Sequence, residues 1–176
     1  LLETRSSHKL HFLSNGIDLI NASISYVLDS ELENLTLPGT TALTGTGSEF
    51  NNALNGKNGN NSLNGLGGND SLVGNGGNDT LSGGLGKDNL NGGVGQDKFL
   101  FNVAPGINNA DTIIGYVAVD DTITLENAIF TKLTATGVIN ASNLVAKANP
   151  IAVDANDFLL YNTTTGVLSY DANGNA

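Results

Sequence analysis

The sequence predicts an all-β chain built as a stack of short repeated turns, and three observations carry that prediction. Apolar residues, each preceded by an acid or an asparagine, recur every nine residues through the middle of the chain. Glycine supplies 23 and asparagine 26 of the 176 residues, whereas Phe, Tyr and Trp together reach only 6%. No cysteine is present to staple a small fold. A conventional packed core needs more bulky side chains than this. A repeat stack does not, because each turn buries only a few residues against its neighbours. The length allows one domain, or one elongated stack with caps.

Charge narrows the partners. Seventeen acids against seven Lys and Arg give a formal net charge of −10, which repels nucleic acid and anionic membrane surfaces and favours cations. Without cysteine, neither disulfides nor thiolate metal sites enter the fold. No apolar run has the length of a membrane-spanning helix, and no cleavable signal peptide is visible. The absence of methionine predicts a chain that starts within a larger protein or has been processed. The first element, residues 1–15, reads as a junction or tag segment. His8 and His11 within it have the spacing of a metal pair, but no acid is suitably placed beside them. Surface histidines are the simpler reading.

The second element, residues 16–46, alternates apolar and polar residues in short runs separated by turn formers. Ile24, Tyr26 and Leu28 alternate, as do Leu35 and Leu37, which fits irregular turns of half-buried strands. On propensity alone, a short helix over Ser25–Leu35 competes with that reading.

The third element, residues 47–101, is the repeat. Leu54, Leu63, Leu72, Leu81, Leu90 and Phe99 stand nine residues apart, and two positions before each is Asn52, Asn61, Asp70, Asp79, Asp88 or Asp97. The nonads read GSEFNNALN, GKNGNNSLN, GLGGNDSLV, GNGGNDTLS, GGLGKDNLN and GGVGQDKFL. The last two match G-G-x-G-x-D-x-U-x, with U a large apolar residue. The two before them keep Gly at positions one and four and Asp at position six. Glycine permits left-handed or crowded backbone angles, so a six-residue turn can curl its carbonyl oxygens inward. The apolar eighth residue makes a short strand with one inward side chain, and position six places a carboxylate at the end of the turn. Hard oxygen donors in a flexible, many-coordinate shell suit Ca²⁺ better than Zn²⁺ or Mg²⁺. Plainer readings are a Gly/Asn-rich linker, a series of Asn-Gly hairpins and a parallel β-helix without calcium. Linkers do not hold Leu and Asp in a nine-residue register.

On these residues the segment resembles the repeats-in-toxin (RTX, haemolysin-type) calcium-binding family, whose signature this nonapeptide is. The resemblance implies a right-handed parallel β-roll, a β-solenoid in which two nonads make each turn and every second nonad supplies a loop on the same side. It also implies Ca²⁺ between successive loops of one side. The earlier loop gives its carbonyls at positions two and four and its Asp; the later gives carbonyls one and three and its Asp. One such site would use Leu66, Gly68 and Asp70 with Gly83, Leu85 and Asp88. The opposite side would use Asn75, Gly77 and Asp79 with Gly92, Val94 and Asp97. Four carbonyls and two carboxylates give about six oxygens, as Ca²⁺ takes. Weaker sites would pair Asn52 with Asp70 and Asn61 with Asp79, each lacking one charge. Phe50 stands where the first nonad should have glycine and predicts a departure in that loop. The stretch 16–46 is similar to a unit found before the nonads in large members of the family, and would extend the stack as a calcium-poor portion.

The fourth element, residues 102–176, reads as a C-terminal capping β region. Phe99 and Phe101 place large rings where a terminal repeat must cover its open apolar face. Asp111-Thr-Ile-Ile-Gly-Tyr and Asp120-Asp121-Thr-Ile-Thr-Leu both alternate like strands after an acid. Relatives close their roll with such segments, so Asp111 or Asp121 would complete a site with Gly93, Gly95 and Asp97. Surface acids at strand starts are the alternative. Asp157–Tyr161, a turn through Gly166, and Val167–Tyr170 read as strand, turn and strand. In relatives a similar hairpin leads to a C-terminal secretion signal, which a chain stopping at Ala176 is expected to lack or to carry truncated.

No H-E-x-x-H helix and no G-x-S-x-G elbow is present. Acids are numerous enough for a glycosidase dyad by count, yet calcium accounts for the register of most of them. The expectation is a non-enzymatic, extracellular calcium-binding module of a secreted bacterial RTX-type protein, exported by type I secretion machinery and folding on Ca²⁺ binding outside the cell. Any catalysis would lie in a separate domain of the parent. Rival readings are an adhesion module binding polysaccharide or a cell surface, with structural calcium, and a non-catalytic part of a secreted hydrolase, epimerase or toxin.

Overall fold

The computed structural model describes residues 17–106 and 108–131, together with the strand backbones of 144–147, 159–162 and 168–170. Residues 1–15, with His8 and His11, lie outside the described residues. Twelve short strands follow one another: β1 Leu19–Asn21, β2 Tyr26–Val27, β3 Asn34–Thr36, β4 Thr44–Thr46, β5 Ala53–Asn55, β6 Ser62–Gly67, β7 Ser71–Gly76, β8 Thr80–Leu85, β9 Asn89–Val94, β10 Lys98–Phe101, β11 Thr112–Ile114 and β12 Thr122–Leu125. Odd-numbered strands form one six-stranded sheet and even-numbered strands the other. Every pairing in the two sheets is parallel. Ser62 pairs with Thr80 and Ser71 with Asn89, so two nonads make one turn. The chain is an all-β parallel β-solenoid, the architecture expected from the nonads.

Alternation along each strand sends one residue inward. Stacking the turns lines these residues into two columns. The odd sheet contributes Ile20, Leu35, Leu54, Leu72, Leu90 and Ile113; the even sheet contributes Tyr26, Gly45, Leu63, Leu81, Phe99 and Ile123. Leu54, Leu63, Leu72, Leu81, Leu90 and Phe99 are essentially inaccessible to solvent, and burial of each contributes roughly 1.5–3 kcal/mol. Gly45 breaks the even column for a reason. A side chain there would press on Leu35, Leu37 and Leu63, at 3.0, 3.2 and 3.3 Å, so the leucines already fill its place.

The stretch 25–35 contains β2, a turn and the start of β3, not the competing helix. Leu28, Leu35 and Leu37 are buried as the alternation implies. Ile24 is not: it is 68% exposed, because it precedes a two-residue strand at the open edge of its sheet.

Strands β6 to β9 are longer than the predicted three-residue unit and run on through position three of the following loop. Position two is left-handed in five successive loops: Lys57 at φ 56°, Leu66 at 76°, Asn75 at 73°, Gly84 at 100° and Gly93 at 101°. A side chain in that conformation costs roughly 1–2 kcal/mol, which explains the glycine in the full nonad pattern.

The ladder continues past Phe101, because β11 and β12 each add a strand to one sheet. Phe99 is fully buried, with the Tyr116 ring 6.1 Å away. Phe101 and Ile113 pack against the core. A third sheet holds β13 Leu144–Lys147, β14 Leu159–Asn162 and β15 Leu168–Tyr170. Strands β14 and β15 are antiparallel, as the strand–turn–strand reading requires; β13, parallel to β14, was not foreseen.

Candidate metal centres

Position six lies two residues before the inward leucine and therefore shares its side of the strand. Asp70, Asp79, Asp88 and Asp97 accordingly turn inward and are each about 1% exposed. One oxygen of each is satisfied by the turn before. Asn52 N–H donates to Asp70 Oδ1 and Asn61 N–H to Asp79 Oδ1, both at 2.7 Å. Asp70 N–H donates to Asp88 Oδ1 and Asp79 N–H to Asp97 Oδ1, both at 2.8 Å. The other oxygen, Oδ2, is buried without a partner in all four. A buried carboxylate oxygen left unpaired is costly, so it demands a proton or a cation.

The surroundings of these oxygens are backbone. A Cβ on Gly65 would meet both Asp70 Oδ2 and the carbonyl oxygen of Gly83. On Gly74 it would meet Asp79 Oδ2 and the Gly92 carbonyl. The carbonyls of Leu66 and Gly68 crowd Gly84 and Gly86, and those of Asn75 and Gly77 crowd Gly93 and Gly95. The structure thus brings Leu66, Gly68, Asp70, Gly83 and Asp88 together on one side. On the other it gathers Asn75, Gly77, Asp79, Gly92 and Asp97. Leu85 pairs with Gly67, and the Val94 carbonyl accepts from Gly77 N–H at 3.0 Å. Among the described residues, no three acid or histidine side chains converge on one point. A cation here would be held by few carboxylates and several carbonyls. Such an all-oxygen set with orphaned carboxylates fits Ca²⁺.

Burial is the first cause of raised pKa values along this ladder. It lifts Asp70 from 3.8 to about 7, helped by Asp88 and Asp111 and opposed by the Asn52 N–H. Asp79 and Asp111 rise to about 6, and Asp88 and Asp97 rise too. A carboxyl whose value is higher folded than unfolded binds its proton more tightly in the folded chain. Its contribution is fully present below 3.8 and is lost as pH rises through about 6 to 7. In chelator, the Asp turns are therefore expected to be more structured at pH 5 than at pH 8. With saturating calcium the order should reverse, because protons then compete with the cation. Thermal melts followed by circular dichroism check both signs; a chelated protein more stable at pH 8 would contradict the buried ladder.

Asp111 and Asp121 prolong the ladder in different sheets. Asp88 N–H donates to Asp111 Oδ1 and Asp97 N–H to Asp121 Oδ1, both at 3.1 Å. The structure thus sets Asp121 beside Asp97 and Asp111 beside Asp88, because β12 joins β10 and β11 joins β9. Asp121 Oδ2 already accepts from Val117 N–H at 2.8 Å.

Two sets of residues escaped the sequence reading. The exposed asparagines at position five form a second ladder: Asn51, Asn60, Asn69 and Asn78 accept N–H bonds from Asn69, Asn78, Lys87 and Gln96 at 2.7–2.9 Å. Four asparagines in one register were the available signal. Upstream, Glu33 takes the place of the ladder acid, and its Oε2 accepts from Asp18 N–H at 2.9 Å. Asn52 follows at that position by strand register.

The family model for the RTX calcium-binding nonapeptide repeat, in four copies, matches residues 46–81 and 65–99. No curated protein and no solved structure gives a significant match. The shared register of strands, inward acids and loop glycines, together with that match, identifies residues 46–99 as RTX calcium-binding nonapeptide repeats stacked as a parallel β-solenoid.

Proposed function

We propose that this chain is a calcium-responsive folding module of an RTX-type protein: largely disordered at the low calcium of a bacterial interior, exported in that state by type I machinery, and folded outside. The observation that carries the reading is the set of four buried, partnerless Oδ2 atoms at Asp70, Asp79, Asp88 and Asp97. Calcium would supply the divalent centre these oxygens lack. The ligands proposed are Leu66, Gly68, Asp70, Gly83, Leu85 and Asp88 on one side and Asn75, Gly77, Asp79, Gly92, Val94 and Asp97 on the other. The same reading makes 16–46 a calcium-poor extension of the stack and 102–176 its C-terminal cap, and puts any catalysis in another domain of the parent. Among the described residues, no helix is long and apolar enough to cross a membrane.

The donor set exists only when successive turns are stacked, so binding free energy becomes folding free energy. At a free calcium of about 100 times the dissociation constant, each site adds roughly 2.7 kcal/mol. Affinities on the order of 10⁻⁴–10⁻³ M, typical of extracellular calcium modules, would place the switch between the two compartments. A calcium titration followed by circular dichroism should show cooperative gain of β signal in that range, with no comparable response to Mg²⁺. Identical spectra in calcium and in chelator would sink the reading.

A further inference from the structure

The six residues at position six fall into two kinds, and the division rests on hydrogen bonds rather than on charge alone. The four acids each leave Oδ2 without a partner. Asn52 and Asn61 are nearly as buried, at 4% and 3%, yet both are satisfied. Asn52 Oδ1 accepts from Ser48 N–H at 2.6 Å and from the Ser48 hydroxyl at 3.1 Å. Its Nδ2 donates to the Leu32 carbonyl at 3.0 Å and, more weakly, to that of Glu33 at 3.4 Å.

Asn61 reaches the same end by another route. Its amide is assigned with the oxygen accepting from Leu43 N–H at 3.2 Å and the nitrogen donating to the carbonyls of Gly59, at 2.7 Å, and Gly56. The reverse orientation sets oxygen against acceptors and keeps only a 3.3 Å bond to the Leu43 carbonyl; partners decide such assignments. Gly56 and Gly59 are positions one and four of their loop, the class of carbonyl assigned above to a cation. An amide NH₂ offers those oxygens positive hydrogens without adding charge.

Given the calcium reading above, we propose that the loops ending at Asn52 and Asn61 are metal-free turns in which a side-chain amide replaces the cation. The N-terminal end of the solenoid then folds without calcium and serves as the template on which the Asp turns stack. Two further features support this polarity. The N-terminal turns carry Leu28, Leu32 and Leu37 in addition to their column residues, all buried, so their core is the better filled. The template also presents the right groups: Asn52 and Asn61 N–H already point at the Oδ1 atoms of Asp70 and Asp79. The weak calcium sites expected at Asn52 and Asn61 are accordingly replaced by sites that need none.

Hydrogen exchange read by mass spectrometry on the whole chain tests this. In chelator, amides of 34–64 should be protected and those of 70–125 should not; calcium should then protect the second group. If calcium brings both groups to protection together, the template is wrong while calcium-linked folding stands. If calcium changes nothing anywhere, the calcium reading itself fails. Asn61→Asp supplies a second readout. It should abolish chelator-stable protection over 44–64, restore it at millimolar calcium, and add one bound calcium by equilibrium dialysis. An unchanged chelator pattern and stoichiometry in that variant would overturn the proposal.

Discussion

Asp79→Ala is expected to raise the calcium concentration needed for folding at least tenfold, or to remove the folded signal altogether. Asp79 sits mid-ladder, where its Oδ1 accepts from Asn61 N–H and its own N–H donates to Asp97 Oδ1. Alanine keeps the donor but removes the acceptor. Leaving the buried Asn61 N–H unpaired costs about 1–3 kcal/mol. On the proposed calcium reading, the variant also deletes an oxygen from each cation position that Asp79 borders. A loss of several kcal/mol is large against the 5–15 kcal/mol of a typical domain. Asp120→Ala is the matched control. That acid is exposed and, among the described residues, bonded through its backbone N–H alone, so its calcium midpoint should not move. Equal midpoints for the two variants, by circular dichroism, would show that position six holds no ligand.

The parts of this ladder that were legible in the sequence are those with a fixed period. Leu54 through Phe99 and Asp70 through Asp97 recur every nine residues, and the structure puts both sets inside. Where the period slips, the reading blurred. Asp88 and Asp111 are 23 residues apart and Asp97 and Asp121 are 24, against 18 within the repeats. Sequence alone therefore could not allot the two late acids to their sheets. Asp18 and Glu33 are separated by 15, and nothing in the spacing marks them as the upstream end of the same column. The position-five asparagines were hidden for a different reason. Their bonds run between loops, and a pattern that treats the position as variable discards them. Gly45 was opaque too, because the leucines that fill its place arrive from the opposite sheet, Leu35 and Leu37, and from the next turn, Leu63.

Gly86→Ala is expected to have the other largest effect: loss of the folded solenoid even at saturating calcium, read as absent β signal and lost calcium stoichiometry. Gly86 has φ +132°, a conformation open essentially to glycine alone. Its Cβ would also overlap the carbonyl of Gly68 in the loop stacked beside it. That obstacle is backbone, so no side-chain rotation relieves it, and the loops would have to separate. Position two makes the contrast. There Lys57, Leu66 and Asn75 are accommodated at φ 56–76°, near the left-handed region that L residues reach at moderate cost. Position four demands more as the stack proceeds, with φ of 101°, 111°, 132° and 142° at Gly68, Gly77, Gly86 and Gly95. Each of these glycines would carry its Cβ into the loop beside it. Gly106→Ala, with open space at its Cβ, should change stability by no more than about 0.5 kcal/mol. A folded Gly86→Ala variant with parental calcium stoichiometry would mean that the loops stack farther apart than this geometry requires. For carbonyls of different turns to share one cation, as proposed, they would have to lie this close, and the same closeness leaves no room for a methyl group.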